Sequence, residues 1–331
     1  MNPAERAARA VDHLQQRHRP VAFVVGVVKK FGDDRGSMLV ALLTYYGFMS
    51  LFPLLLVATT ILGFIGNPAL VNNVIGETLR QFPVYGDQLG RDAAHPLHGN
   101  SWALALGLLG LIYGSLGIAQ AGQHAMAEVW NVPGVRRPGF FPRLVRALVL
   151  FATVGLGMAA GAGASVLVLR AGNANVVRGL LLIAQLLLNV GLAIGVFRIL
   201  TPKDIPTGDL IRGAILAAVG YTALLNLGTA LVQHQLRHAR AVYGQFGFVL
   251  GLIGWIYLVA ELTMYSAEIN VVRVRRLWPR SIVQPPLTDA DRRVLHDIAR
   301  QEERRPEQRV GVGFDPDAVG EATDDAEHPR R

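Results

Sequence analysis

The chain has no cysteine, which excludes thiol catalysis, structural disulfides and cysteine-ligated zinc. Charge is scarce too. Only 17% of the 331 residues are Asp, Glu, Lys or Arg, against 51% hydrophobic residues and 36 glycines; an ordinary soluble domain carries about 25% charge. The scarcity is also concentrated. Six stretches contain no charged side chain at all: 36–76, 93–127, 147–169, 179–197, 213–236 and 241–260. A helix needs about 20 mostly apolar residues to cross the hydrocarbon core of a bilayer, and these stretches hold between 19 and 41. The sequence therefore predicts an all-α membrane protein, a six-transmembrane-helix bundle.

Enzyme signatures are missing as well. There is no phosphate-cradling glycine loop ending in Lys-Ser/Thr, no His-Glu-x-x-His and no Gly-x-Ser-x-Gly. The expectation is a protein that is not an enzyme, with no catalytic residue, no cofactor and no metal. His95 with His98, and His234 with His238, form two spaced pairs. Four imidazoles could hold zinc if two loops met, but the reading preferred is solvated surface.

The charge that is present sits where topology would put it. With spans at roughly 38–66, 101–126, 145–169, 179–200, 211–233 and 246–271, the first tail carries seven Lys/Arg and the C-terminal tail twelve. The second-to-third connection has four (Arg136, Arg137, Arg143, Arg146) and the fourth-to-fifth three (Arg198, Lys203, Arg212). An inside N-terminus thus places 26 cations on one side and six on the other, and the positive-inside rule makes both tails cytoplasmic. The net charge of +8 and pI near 10.2 find their explanation here. No basic run is interleaved with stacking aromatics, so nucleic acid is not an expected partner.

Three regions follow: 1–35, a cytoplasmic N-terminal tail with an interfacial helix; 36–278, the six-span membrane domain; and 279–331, a cytoplasmic, largely disordered tail. Val21–Val28 is apolar but lacks a small-residue cleavage site and is too short to span, so Pro20–Phe31 is read as the interfacial helix, not a signal peptide. Thr288 and Asp291 form a capping box for a surface helix over Thr288–Arg305, and Asp315–Glu327 is acidic and expected to be disordered. The connection 67–100 carries Leu70, Val71, Val74 and Leu79 at helical spacing, the pattern of a short helix on the outer surface.

Small residues recur at four-residue steps inside the spans, among them Gly157 and Gly161, and Gly191 and Gly195. That spacing lets helix backbones approach closely. In the sixth span Gly247, Gly251, Gly254, Tyr257, Glu261, Tyr265 and Glu268 line one face. A lone carboxylate near a span centre costs roughly 2.5–3.5 kcal/mol on insertion scales, so Glu261 is expected to face protein or water. Glu268, nearer the inner surface, has Arg273 and Arg275 as available partners. The first span supplies Thr44 and Tyr45 below Pro53, a residue that bends helices. The second supplies His124 and Glu128 at its inner end. Thr44, Tyr45, His124, Glu128, Glu261 and Glu268 could line one cavity open to the cytoplasm. The simpler reading is interhelical hydrogen bonding, worth about 0.6 kcal/mol per bond.

Three ordered motifs carry a likeness. Ala41-Leu-Leu-Thr-Tyr-Tyr-Gly-Phe-Met-Ser-Leu-Phe-Pro53-Leu-Leu comes first, then Trp130 with Arg136, Arg137 and Arg143. Tyr243-Gly244, Trp255-Ile-Tyr257 and Ala267-Glu268-Ile-Asn270 complete the set. Over about residues 20 to 278 the sequence resembles the YihY/BrkB family, which implies a six-span protein of the bacterial inner membrane. Ser266 stands where that family usually has Gly, Ala127 where an Asn usually precedes the Trp, and Glu261 where an apolar residue is usual. The departures shift weight from Glu261 to Tyr45, Pro53, Tyr243, Tyr257 and Glu268. The family long carried a ribonuclease BN label, but a metal-dependent nuclease needs clustered ligands in water, and the sequence offers none. The leading expectation is a transporter or lipid-translocating protein, with membrane lipids as partners and a small solute or lipid as substrate. The alternative is a non-transporting envelope or scaffold protein.

Overall fold

The computed structural model describes residues 3–65, 101–170 and 175–314, and within some helices, 52–65 and 226–248 among them, the backbone alone. The outer-surface helix expected within 67–100, the His95/His98 pair and the acidic stretch 315–327 lie outside the described residues, and so do the side chains of His234 and His238. Among the described residues there is helix and no strand. The helices are α1 (Pro3–Arg17), α2 (Arg19–Asp33), α3 (Gly36–Ile65), α4 (Ser101–Val129), α5 (Phe140–Arg170), α6 (Asn175–Leu200), α7 (Thr207–Val274) and α8 (Asp289–Gln301). The chain divides into two compact units. The first gathers Met1–Gly36, Ala127–Arg137 and Glu268–Arg331; the second takes Ser37–Met126 and Pro138–Ala267.

The second unit contains the apolar helices. Phe140–Gly157, Gly179–Leu200, Thr207–Leu225 and Val249–Val274 are each long and apolar enough to cross a membrane, and Gly36–Leu51 is a shorter apolar stretch of α3. Their packing follows the small residues in part. A Cβ placed on Gly157 of α5 would lie 2.6 Å from Leu192 of α6, and one on Gly117 of α4 would lie 2.4 Å from the Tyr46 ring of α3. Both glycines are therefore positions of close approach. Gly155, Gly163, Gly191 and Gly254 meet nothing within 4 Å, so the glycine-lined face of α5 is used at only some of its turns.

The connection between the fifth and sixth spans has helical backbone throughout: α7 extends from Thr207 to Val274. The sequence there has a single glycine, Gly244, and no proline between 234 and 245, so no residue type forces an interruption. Yet a Cβ on Gly220 would lie 2.7 Å from Leu262. At 1.5 Å rise per residue a straight helix would hold these positions about 60 Å apart. The two apolar limbs of α7 therefore lie side by side, and the element bends back between them.

Hydroxyls in these helices are satisfied locally. Thr44 donates to the carbonyl of Val40 (2.7 Å), Thr222 to Ala218 (2.8 Å) and Ser266 to Leu262 (2.7 Å). Each bond returns to the preceding turn of the same helix, the habit of Ser and Thr when water is absent.

The first unit is polar at its joints. α2 begins with Pro20 in its first turn and buries Ala22, Gly26, Val27 and Lys30 on one face. Gly26 is held against the end of α7: a Cβ there would come 3.0 Å from the Leu277 carbonyl. Phe23 and Trp278 meet edge to face at 5.2 Å. α4 and α7 end alike. Asn131 (φ 45°) and Arg276 (φ 53°) adopt the left-handed conformation, Val132 donates to Ala127 and Leu277 to Val272, and the last carbonyls are thereby satisfied in Schellman caps.

The stretch 279–314, grouped by sequence with the C-terminal tail, is folded. α8 starts on the expected capping box, Thr288 with Asp291, a device worth about 1 kcal/mol. Asp291 does more than cap. Its carboxylate also accepts from the Ser281 amide (3.0 Å) and pairs with Arg280 Nε (2.5 Å) and Lys29 (3.2 Å). Arg280 Nη2 reaches Asp33 at 2.7 Å. α1, which hydrophobic patterning did not announce, is fixed by Asp12, which accepts from Gln15, from the Ser281 hydroxyl (3.0 Å) and from the Ile282 amide (2.9 Å).

Burial pushes both carboxyls upward, but the hydrogen bonds outweigh it. Those from Ile282, Gln15, Gln16 and Ser281 bring Asp12 down to about 2, and those from Arg280, Ser281 and Thr288 hold Asp291 well below the carboxylate range. A depressed folded value stabilises the fold above the unfolded carboxyl pKa of about 3.9, and the benefit is lost as pH falls through the folded value. Thermal unfolding in detergent, followed by circular dichroism, should show stability falling as pH drops from about 4 toward 2. Asp291→Asn should lose about 3 kcal/mol at pH 7, because Arg280 stays buried with one carboxylate fewer, and should flatten the acid limb.

Candidate functional site

A lysine on the buried face of a helix must bring its counter-charge with it. Lys30 is fully buried, and Asp34, one turn along the chain, supplies a carboxylate in direct contact with the ammonium. The ammonium also donates to the Val129 carbonyl at 3.2 Å, one of the groups that the end of α4 leaves without a helical partner. The left-handed Asn131 just beyond turns its amide inward and donates to Asp34 (3.3 Å) and to Gln301 of α8 (3.1 Å). Gln301 in turn donates to Glu128, whose other oxygen holds Arg137 at 2.8 Å. A line of polar side chains thus runs from the sealed Lys30 to the partly exposed Glu128 and Arg137.

At the sealed end stands Glu268. Its side chain is completely buried, and no donor reaches either carboxylate oxygen. It faces Asp34, with Lys30 and Asp33 close enough to act on it electrostatically. Two ionised carboxylates have no hydrogen to share; a proton on one of them makes the pair a donor and an acceptor. Burial raises the Asp34 carboxyl above its ordinary value, against the opposing pull of the Lys30 ammonium.

Of the nine residues singled out from sequence, Glu128 and Glu268 belong to this group, joined through Asp34, Asn131 and Gln301. The partners expected for Glu268 are engaged differently: Arg275 pairs with Asp297 (2.8 Å) and donates to the Trp130 carbonyl (2.6 Å), and Arg273 is exposed. Thr44, Tyr45, His124, Tyr257 and Glu261 belong to the second unit. Thr44 is buried and bonded to its own helix. Tyr45 is exposed and stacks edge to face on Tyr46 at 5.2 Å. His124 and Tyr257 are exposed and Glu261 is half-buried. The side chains of Pro53 and Tyr243 lie outside the described residues.

Sequence reading missed Lys30, Asp34, Asn131 and Gln301. A signal existed for the first two: Lys30 falls on the same helical stripe as Ala22, Gly26 and Val27, and an acid follows at i+4, the spacing of helical ion pairs. Among the described residues no group of three His, Asp or Glu side chains could hold a metal ion.

Apolar helices of bilayer-crossing length, with a buried carboxylate near the end of one of them, define a helical membrane protein. The chain belongs to the virulence factor BrkB family, whose profile matches residues 27–286. It is similar to the inner membrane protein YhjD of Escherichia coli (strain K12), with 23% identity over 278 residues, 76% of this chain and 81% of that protein. A protein of Dickeya dadantii (strain 3937) whose name states no function is 24% identical over 278 residues, 75% of this chain and 81% of its own. No solved structure matches the chain.

Lys30 is expected to hold the first unit together. Lys30→Met leaves Asp34 and Glu268 buried without their cation and should cost about 3–5 kcal/mol. Lys30→Met combined with Asp34→Leu should recover part of that loss. Thermal unfolding of the purified protein in detergent measures both.

Proposed function

We propose that the protein moves a small polar solute or a lipid head group across the membrane through a six-span bundle with both tails in the cytoplasm. The observation that carries this reading is Glu268, a sealed carboxylate without a donor at the end of an apolar helix. Burying such a group is expensive, and intramembrane ionisable residues are the first candidates for a transport path.

Two independent lines support the topology. The positive-inside count puts the N-terminal tail, the connection after α4 and the C-terminal region on one side. Those same three segments make up the first compact unit. The resemblance to an inner membrane protein favours the bacterial inner membrane as the location.

In this reading Thr44, Tyr45, Pro53, His124, Glu128, Tyr243, Tyr257, Glu261 and Glu268 are the candidate path residues. The protein has no catalytic residue, metal, cofactor or nucleic-acid partner. Nothing supports a ribonuclease. The alternative, a non-transporting envelope scaffold, draws on the folded 279–314 segment as a platform for partners.

The test is purified protein in liposomes with fluorescent phosphatidylglycerol or a panel of small solutes. Glu268→Gln and Tyr45→Phe should each slow movement at least tenfold while membrane expression stays at the wild-type level. A scaffold predicts that both substitutions are silent in cells and that deletion of 279–331 produces the larger defect.

A further inference from the structure

The charges around Lys30 do not balance. One ammonium stands against two carboxyls, Asp34 and Glu268, all three essentially removed from solvent. Both oxygens of Glu268 are without a donor, and so is Oδ1 of Asn131, a residue 5% exposed whose amide nitrogen points at Asp34. The other charges nearby are committed elsewhere or too few. Asp33, on α2, adds negative charge and is paired with Arg280. Glu128, at the end of α4, is neutralised by Arg137. From α7, Arg275 is taken by Asp297.

A buried excess negative charge costs several kcal/mol unless something cancels it. The cheapest canceller is a cation small enough to sit between two facing carboxyls. We infer that Asp34 and Glu268 form a proton-binding site, in which one hydrogen is held between the two carboxyl groups while Lys30 neutralises the remaining charge. When the site empties, an O–H bond of one carboxyl breaks, the proton passes to water, and both carboxylates are left facing each other beside a single ammonium. That state is repulsive and is relieved only by protein movement or by a replacement cation. The site therefore ties proton occupancy to the packing of α2 against α7. The inference deepens the transport reading, and rests on it, only in making this proton the one that drives movement; the presence of the proton can be measured without any transport.

The experiment is infrared difference spectroscopy on the purified full-length protein in detergent, comparing pH 6 with pH 9, in wild type, Glu268→Gln and Asp34→Asn. Glu268→Gln keeps the Lys30–Asp34 pair and is the variant chosen to stay folded; circular dichroism of each variant verifies this. The expected result is one protonated-carboxyl band in wild type that titrates between the two pH values and is lost in Glu268→Gln. No such band in wild type, a band that persists unchanged in both variants, or a band replaced by stoichiometric sodium binding at pH 6 would overturn the assignment. Liposomes that carry the protein and move nothing would end the transport reading while leaving the band, and the proton site, in place.

Discussion

The Lys30–Asp34 ion pair is the constraint on which the first unit is arranged. An ammonium with no water around it needs every one of its hydrogens placed, and the carbonyl of Val129 and the carboxylate of Asp34 take two of them. Those acceptors come from different parts of the chain, so the lysine ties α2 to the end of α4. Asn131 then carries the connection on to α8 through Gln301. Once this framework stands, Glu268 at the end of α7 has the Asp34 carboxyl facing it and the Lys30 ammonium near enough to act on it, and Val271 and Val272 one turn further along the helix are fully buried.

The same shortage of water governs the apolar helices. The hydroxyls of Thr44, Thr222 and Ser266 turn back to carbonyls of their own helix. The helices also approach closely at selected small residues, Gly157 against Leu192 and Gly117 against Tyr46. Dispersion contacts of that kind are what remains when lipid competes equally for apolar surface. In the first unit, Asp12, Arg280 and Asp291 join α1, α2 and α8 through polar interactions.

Much of the helical architecture was legible because hydrocarbon imposes a coarse rule: long uncharged tracts become helices, and α3 to α7 cover every one of the six tracts as far as residues are described. The capping box of α8 was legible for a different reason, since Thr288 and Asp291 satisfy local geometry that needs no tertiary information. The helical backbone of the connection between the two limbs of α7 was not, because charge at Arg237 and Arg240 signals exposure and says nothing of backbone conformation. The buried group was half legible. Glu268 stood out as a carboxylate in an apolar setting, while Lys30 looked like an ordinary cation at the end of an interfacial helix. Only the fold shows that its stripe faces inward. Gln301 carried no signal, because its role depends on α8 returning to the end of α4.

The discontinuity of the first unit has a consequence for biosynthesis. Residues near position 30 leave the ribosome long before those near position 268 or 291, so the lysine and its neighbouring aspartates must wait, hydrated or chaperoned, while more than two hundred residues are threaded into the bilayer. Completion of the charged group thus becomes the closing event of assembly, and a chain released early would expose unmatched ionic groups that quality-control proteases could recognise.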